Sequence, residues 1–183
     1  LDSSMTDNEN LSIHIKSVHE LIENGYSKRT ITRWQRQEKI IKLAPGQYIK
    51  KSVWDELFPV QKHLARVIAY SRTLHNPVFT HYSAAVALSC ALLNAPHNVQ
   101  VRGCGGAKRA GVVYRQDDSN VISSTITLRY GRDSLTVVDP ITALIGCARD
   151  APIREGLVIV ESAFQGLGER LSYSRLHKAL SEV

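Results

Sequence analysis

The chain of 183 residues has little cysteine, and its cysteines follow no recognised pattern. Cys90, Cys104 and Cys147 are odd in number and form no Cys-x-x-Cys pair, which excludes a disulfide framework and a zinc knuckle. The seven histidines include no His-Glu-x-x-His motif and no second His at ligand spacing. We therefore expect no metal site, no cofactor and no enzymatic activity.

Long apolar runs are also missing from the sequence. No stretch reaches the roughly 18 consecutive apolar residues that a membrane-spanning helix needs, and the acidic N-terminus is unlike a signal peptide. We expect a cytoplasmic protein with no membrane partner. Residues 1–4 precede Met5, the only methionine, and are expected to be the remnant of an expression tag. Residues 1–10 as a whole are expected to be disordered.

Acidic residues are scarce in one segment of the chain. Residues 25–51 hold eight basic side chains against Glu38 alone, a net charge of +7, whereas the whole chain carries +6. Clustered cations release condensed counterions from a polyanion, so this concentration of charge indicates nucleic-acid binding. The alternative is a solvated basic face that has no partner.

The order of elements in this segment is that of a winged helix-turn-helix. Residues 11–24 have apolar side chains at helical spacing, which predicts one helix or a pair of short ones. Ser27 is a suitable N-cap for a helix at 28–37 with cations on one face and Ile31 and Trp34 on the other. Two short apolar runs around a Pro-Gly turn then predict a β-hairpin. The sequence thus predicts a winged helix-turn-helix domain at 11–51.

In such a domain the second helix of the motif enters the major groove of DNA, and the hairpin, or wing, touches flanking phosphates. The expected partner is double-stranded DNA from the chain's own promoter or operator. A homodimer of the chain on the DNA is one expected arrangement. The residues expected to bind it are Ser27, Lys28, Arg29, Thr32, Arg33, Arg36, Lys39, Lys42, Gln47, Lys50 and Lys51.

The rest of the chain predicts a second domain at 59–183, joined by a linker at 52–58. Predicted helices lie at 59–74, 80–94, 140–149, 152–164 and 172–180, and predicted strands of a mostly antiparallel sheet lie at 99–102, 112–115, 123–130 and 135–138. The predicted fold class is α+β: a winged helix-turn-helix followed by a mixed domain of helices and antiparallel sheet. His81 and Ser83 are too close on one helix start to face each other as base and nucleophile, so we expect capping or packing roles.

The run GYSKRTITRWQRQEKIIKLAPGQYI, with Gly25, Ser27, Gly46 and Tyr48 at recurring positions, resembles the N-terminal domain of AbiEi-type antitoxins. THYSAAVAL resembles the Ser-His-x-Ser-Ala-Ala-x-Leu helix start of that family. VVDPITALIGCA is similar to its Ser-Pro-x-Arg-Thr-Leu-x-Asp segment. Here Thr142 and Gly146 stand where the family has Arg and Asp. The resemblance covers roughly residues 11–180.

This resemblance implies a DNA-binding transcriptional regulator that represses its own operon, as the antitoxin of a type IV toxin–antitoxin system. It also implies a nucleotidyltransferase-like toxin as functional partner, with the antitoxin activity in the second domain. Some relatives carry a Vsr-like endonuclease domain, so one alternative is the N-terminal part of a nuclease-containing protein that continues past Val183. The other alternative is a protein-interaction module whose basic helix is incidental.

Overall fold

The computed structural model describes residues 10–90, 96–103, 108–116 and 124–150, together with residues 158 and 161. The chain divides into two compact units. The first comprises Leu1–His75 and Arg129–Ser134, and the second comprises Asn76–Leu128 and Leu135–Val183. Helices and sheets are mixed as the α+β class requires, so the α+β part of the predicted fold class is confirmed. The helices predicted at 152–164 and 172–180 lie outside the described residues, apart from positions 158 and 161.

The first unit combines helices with a three-stranded antiparallel sheet, in which β3 (Gln47–Lys50) lies between β1 (Lys16–Ser17) and β2 (Ile40–Ala44). The turn of the β2–β3 hairpin holds Pro45 and Gly46, and Gly46 has φ of +70°, which favours glycine. The elements are α1 (residues 10–14), β1 (Lys16–Ser17), α2 (Val18–Glu23), α3 (Lys28–Arg36), β2 (Ile40–Ala44), β3 (Gln47–Lys50), α4 (Lys51–Glu56) and α5 (Pro59–Ser71).

Several predicted elements of this unit are found, and others differ. The helix predicted at 28–37 is α3, and the predicted hairpin is β2–β3. The helical pattern at 11–24 is a pair of short helices separated by β1, because Ser17 is extended and caps α2 in a capping box with Glu20. Residue 10, predicted to be disordered, is helical. Most of the predicted linker forms α4, and the compact unit continues through α5.

A small apolar core holds α3 in place. Ile31 is only 3% exposed and packs with the buried side chains of Ile40 and Tyr48 from the hairpin. Val18, Leu21 and Trp34 pack against this cluster. Full burial of an aliphatic side chain such as Ile31 contributes about 1.5–3 kcal/mol. The core therefore fixes which side of α3 faces inward.

A polar cluster around Arg72 ties the ends of the first unit together. Arg72 donates to both carboxylate oxygens of Asp133 over 2.8 and 2.7 Å, and to the carbonyls of Ile15 and Ser12 over 2.9 and 3.0 Å. Arg72 and Asp133 are 14% and 10% exposed. Such a bidentate pair, with its remaining donors satisfied, can be buried without leaving a charge unpaired.

The second unit has helices and most of a six-stranded sheet of order β6-β7-β5-β4-β9-β8, since the residues of β8 and β9 within Arg129–Ser134 belong to the first unit. The sheet was predicted to be mostly antiparallel, but the β4–β9 and β5–β7 pairings are parallel, so it is mixed. Parallel pairing joins strands that are distant in sequence, and no local pattern marks it. The elements are β4 (Val78–Phe79), α6 (His81–Ala87), β5 (Val99–Arg102), β6 (Lys108–Arg109), β7 (Val112–Arg115), β8 (Thr125–Tyr130), β9 (Asp133–Val138) and α7 (Pro140–Asp150).

Helix α6 is shorter than predicted. It ends at Ala87, because Ser89 adopts φ of +63° and the chain turns there; positions 91–94 of the predicted helix lie outside the described residues. His81 at its start also has positive φ, of +49°, and its ring lies against Gly146 of α7. A Cβ atom at position 146 would lie 2.8 Å from three ring atoms, so this packing requires glycine there. Ser83 accepts a hydrogen bond from the backbone of Gln100 over 2.8 Å, which is a packing role.

Candidate nucleic-acid interface

The start of α3 is fixed by its own sequence. Ser27 is extended, and its hydroxyl accepts a hydrogen bond from the backbone N–H of Thr30 over 3.1 Å. This is the N-cap interaction predicted for Ser27, and its hydroxyl also lies 3.0 Å from that of Thr30. The cap stabilises the first turn of α3, whose first two residues are Lys28 and Arg29.

The exposed side of α3 forms a basic strip. Arg29, Arg33 and Arg36 are spaced four and three residues apart, so they lie on one side of the helix, with Thr32 between them. All four side chains are exposed, whereas Ile31 on the other side is buried. They line an open groove of about 520 Å³ together with Ser27 and Thr30. The structure therefore brings together most of the predicted α3 residues.

The cations of the strip are not neutralised by the protein. Within the described part of the chain, no carboxylate pairs with Arg29, Arg33 or Arg36. The first turn of α3 also carries Lys28 and Arg29 and no acidic residue, although cations at a helix N-terminus cost roughly 0.3–1 kcal/mol each. The helix thus keeps a positive potential at its N-terminal end at some cost in stability.

The hairpin lysines lie on the face of the sheet that packs against α3. Lys42 is the direct partner of Tyr48, and Lys50 is the partner of Ile40. Paired residues of an antiparallel ladder point to the same side, and Tyr48 and Ile40 belong to the core beneath α3. Lys42 and Lys50 are exposed, as is Lys39 in the turn that leads into β2. These three lysines extend the positive charge beyond the helix.

Two of the predicted residues are placed differently from the rest. Gln47 is buried at 7% exposure, and its side-chain oxygen lies 3.4 Å from a guanidinium nitrogen of Arg72. The structure therefore does not bring Gln47 to the basic surface: its side chain contacts the polar cluster around Arg72 at the turn end of the hairpin. Lys51 donates to both carboxylate oxygens of Asp55 over 2.9 and 2.8 Å, and this bond raises the pKa of Lys51.

One basic residue of this surface was not predicted from the sequence. Lys16 on β1 is the partner of Tyr48, so it shares the hairpin face with Lys42 and Lys50. Its neighbourhood in the sequence is acidic, and β1 has only two residues. The signal lies in the pairing of β1 with β3, which no local pattern marks.

Other kinds of site are not seen among the described residues. Over those ranges no group of three or more His, Cys, Asp or Glu side chains is placed to hold a metal ion. No helix there combines the length and apolarity needed to cross a bilayer. Burial raises the pKa of the Cys90 thiol to about 11, and Cys147 is also buried. A comparison with protein families and with curated proteins finds no match for this chain. The resemblance to AbiEi-type antitoxins stays a prediction.

Proposed function

We propose that this chain binds duplex DNA through α3 and the β2–β3 hairpin. The observation that carries the proposal is the division of α3 into a buried apolar side and an exposed strip of unneutralised arginines. Affinity for DNA comes mainly from cations that displace condensed counterions, and arginine also recognises guanine in the major groove. An exposed helix about 13 Å long, nine residues at about 1.5 Å each, is suited to that groove.

The surrounding elements support the same arrangement. Strand β1 precedes α2 and α3 in the chain and pairs with β3, the second strand of the hairpin. The strand order of the sheet is therefore β1-β3-β2. This pairing, and the bond from the Val18 N–H to the Gly46 carbonyl over 2.9 Å, hold the hairpin beside the helices. The hairpin would then act as the wing, with Lys42 and Lys50 on flanking phosphates. Lys16 adds a third cation to that face.

We further propose that DNA binding serves regulation of transcription, with the chain repressing its own operon as an antitoxin. This part rests on the family resemblance, which also implies a nucleotidyltransferase-like toxin as functional partner. A promoter–reporter fusion tests repression, and co-expression with the neighbouring gene tests neutralisation. If the chain represses the reporter but does not neutralise the toxicity of the neighbouring gene product, it is a regulator and not an antitoxin.

The test of DNA binding is a fluorescence anisotropy titration with duplexes from the region upstream of the gene. If about five phosphates are neutralised, affinity should fall roughly 500-fold between 50 and 200 mM salt. The variant with Arg33→Ala and Arg36→Ala should bind at least about 30-fold more weakly, since each arginine contact with a base contributes about 1–3 kcal/mol. Its melting temperature should hardly change, because exposed substitutions alter stability by about 0.5 kcal/mol or less.

Arg129→Ala is the matched control, because Arg129 is an exposed arginine on β8, outside the basic surface. It should leave DNA affinity within about twofold of the unsubstituted chain. Binding that ignores salt, or that survives loss of both Arg33 and Arg36, would contradict the proposal. Retention of a partner protein in place of DNA would favour the interaction-module alternative.

A further inference from the structure

A second groove lies in the first unit, and its lining is apolar where that of the α3 strip is charged. It has a volume of about 450 Å³, within the range of roughly 300–1,000 Å³ that is usual for small-molecule sites. It is distinct from the strip, because no residue lines both grooves. Its lining residues are Ile13, His14, Lys16, Leu21, Tyr26, Trp34, Ile40, Tyr48, Ile49, Lys50, Ser52 and Val53.

Aromatic side chains form part of this groove. The rings of Tyr26 and Trp34 meet edge to face with centroids 4.7 Å apart, and Tyr48 contributes a third ring. Tyr26 is 42% exposed and Ile13 is 55% exposed, which are high values for large apolar side chains. Apolar side chains left open to water around a concave surface are typical of a binding site. A flat apolar group of a ligand would cover the exposed apolar side chains of this groove.

The charge of the groove has a single sign. Lys16 and Lys50 line it, and no Asp or Glu does. Lys16 on β1 and Lys50 on β3 occupy neighbouring strands, because β1 pairs with β3. Lys16 is the partner of Tyr48, two residues from Lys50, so the two lysines are on the same face of the sheet. Neither makes an ion pair within the ranges that the structure describes. An apolar floor with ammonium groups beside it complements a molecule that has an aromatic body and an anionic group.

We propose that this groove binds a small amphipathic anion, with the aromatic part against Tyr26, Trp34 and Tyr48 and the acidic group on Lys16 and Lys50. The apolar lining supplies most of the binding free energy through burial, and the lysines select an anion over a neutral analogue. Lys16 and Lys50 also belong to the proposed DNA-binding surface, but this proposal does not rest on DNA binding: the apolar lining and the charge of the groove carry it, and its test contains no DNA.

A matched pair of fluorescent probes tests the site on the full chain. 1-Anilinonaphthalene-8-sulfonate has an aromatic body with one negative charge, and N-phenyl-1-naphthylamine has the same body with none. Fluorescence titrations should give a saturable site that prefers the anion by at least about tenfold, the effect of one charge-assisted hydrogen bond. The double variant Lys16→Met, Lys50→Met should lose that preference while still binding the neutral probe within about twofold.

Lys42→Met is the control variant, because Lys42 is exposed on the same hairpin but does not line the groove. It should leave the affinity for both probes unchanged. Equal affinity of the unsubstituted chain for the two probes would overturn the proposal, and so would an anion preference that survives in the double variant. If a second copy of the chain fills the groove instead, sedimentation will show a dimer that the anionic probe does not dissociate, and that result also overturns it.

Discussion

Two groups of arginines in the first unit differ in what surrounds them. Arg72 and Arg132 are matched to carboxylates: Arg72 binds Asp133, and Arg132 binds Glu20 as well as the carbonyl of Ile15. The arginines of α3 are exposed and meet no carboxylate within the described ranges. The same residue type therefore has a structural use in one place and leaves its charge available in the other.

The difference shows why a count of positive charge is a weak guide to function. An arginine whose fork already holds a carboxylate and backbone carbonyls has few donors left for a ligand. An arginine on an exposed helix face retains all five donors and its full charge. The net charge of residues 25–51 is informative because most of its cations are of the second kind.

The largest expected effect comes from breaking the structural group. Arg72→Met should lower the free energy of unfolding by about 3–5 kcal/mol, because it leaves the buried carboxylate of Asp133 without a partner. Urea denaturation measures this change. Arg33→Met, the same substitution on α3, should cost about 0.5 kcal/mol or less.

The double variant Arg72→Met, Asp133→Asn is the control for this prediction. It removes the unpaired charge, so it should be more stable than Arg72→Met alone. A small effect of Arg72→Met would mean that the two groups of arginines do not differ in their contribution to stability.

Much of α3 and its surroundings could be predicted from the sequence because the signals are local. Ser27 caps the helix next to it, Ile31 and Trp34 mark its inner side, and Pro45 with Gly46 marks the hairpin turn. Each of these signals acts over four residues or fewer. A pattern of this range is visible in one chain without any knowledge of the rest of the fold.

The features that were missed depend on residues far apart in the chain. Arg72 and Asp133 are separated by 61 positions, and Arg72 contacts the buried Gln47 from 25 positions away. Lys16 joins the basic surface only through the pairing of β1 with β3. Non-local pairing of this kind has no signature in hydrophobic periodicity, so the sequence alone indicates neither the burial of Gln47 nor the position of Lys16.

A pH titration sharpens the comparison with an intermediate effect. Burial alone would raise the pKa of Glu20, but hydrogen bonds from Arg132 and from the backbone and hydroxyl of Ser17 outweigh it and lower the pKa from 4.5 to about 2. The same balance, with Arg72 and Ser12 as donors, lowers the pKa of Asp133. A depressed carboxyl pKa stabilises the folded chain above the unfolded pKa, and this contribution is lost as the pH falls through the folded value.

Stability should therefore decline progressively as the pH falls from about 4.5 to 2, as measured by urea midpoints at each pH. Glu20→Gln should be less stable than the unsubstituted chain at neutral pH, and the gap between them should narrow over that interval. A gap that is independent of pH would show that the ion pair with Arg132 does not contribute. Arg36→Gln serves as the control, since removal of an unpaired cation should not reproduce this pattern.

The smallest expected effect concerns Glu38, the one carboxylate of the basic segment. It follows α3 with φ of +52°, a left-handed conformation that glycine adopts without strain. Glu38→Gly should stabilise the chain by up to about 1 kcal/mol and strengthen DNA binding several-fold, because it relieves the backbone strain and removes a charge that repels DNA.

Glu38→Gln separates the two causes, since it removes the charge and keeps the Cβ atom: it should raise DNA affinity equally without the gain in stability. Glu56→Gln, an exposed carboxylate on α4 outside the basic surface, should change neither quantity. If Glu38→Gln leaves DNA affinity unchanged in the anisotropy titration, the field of the α3 strip does not extend to this turn.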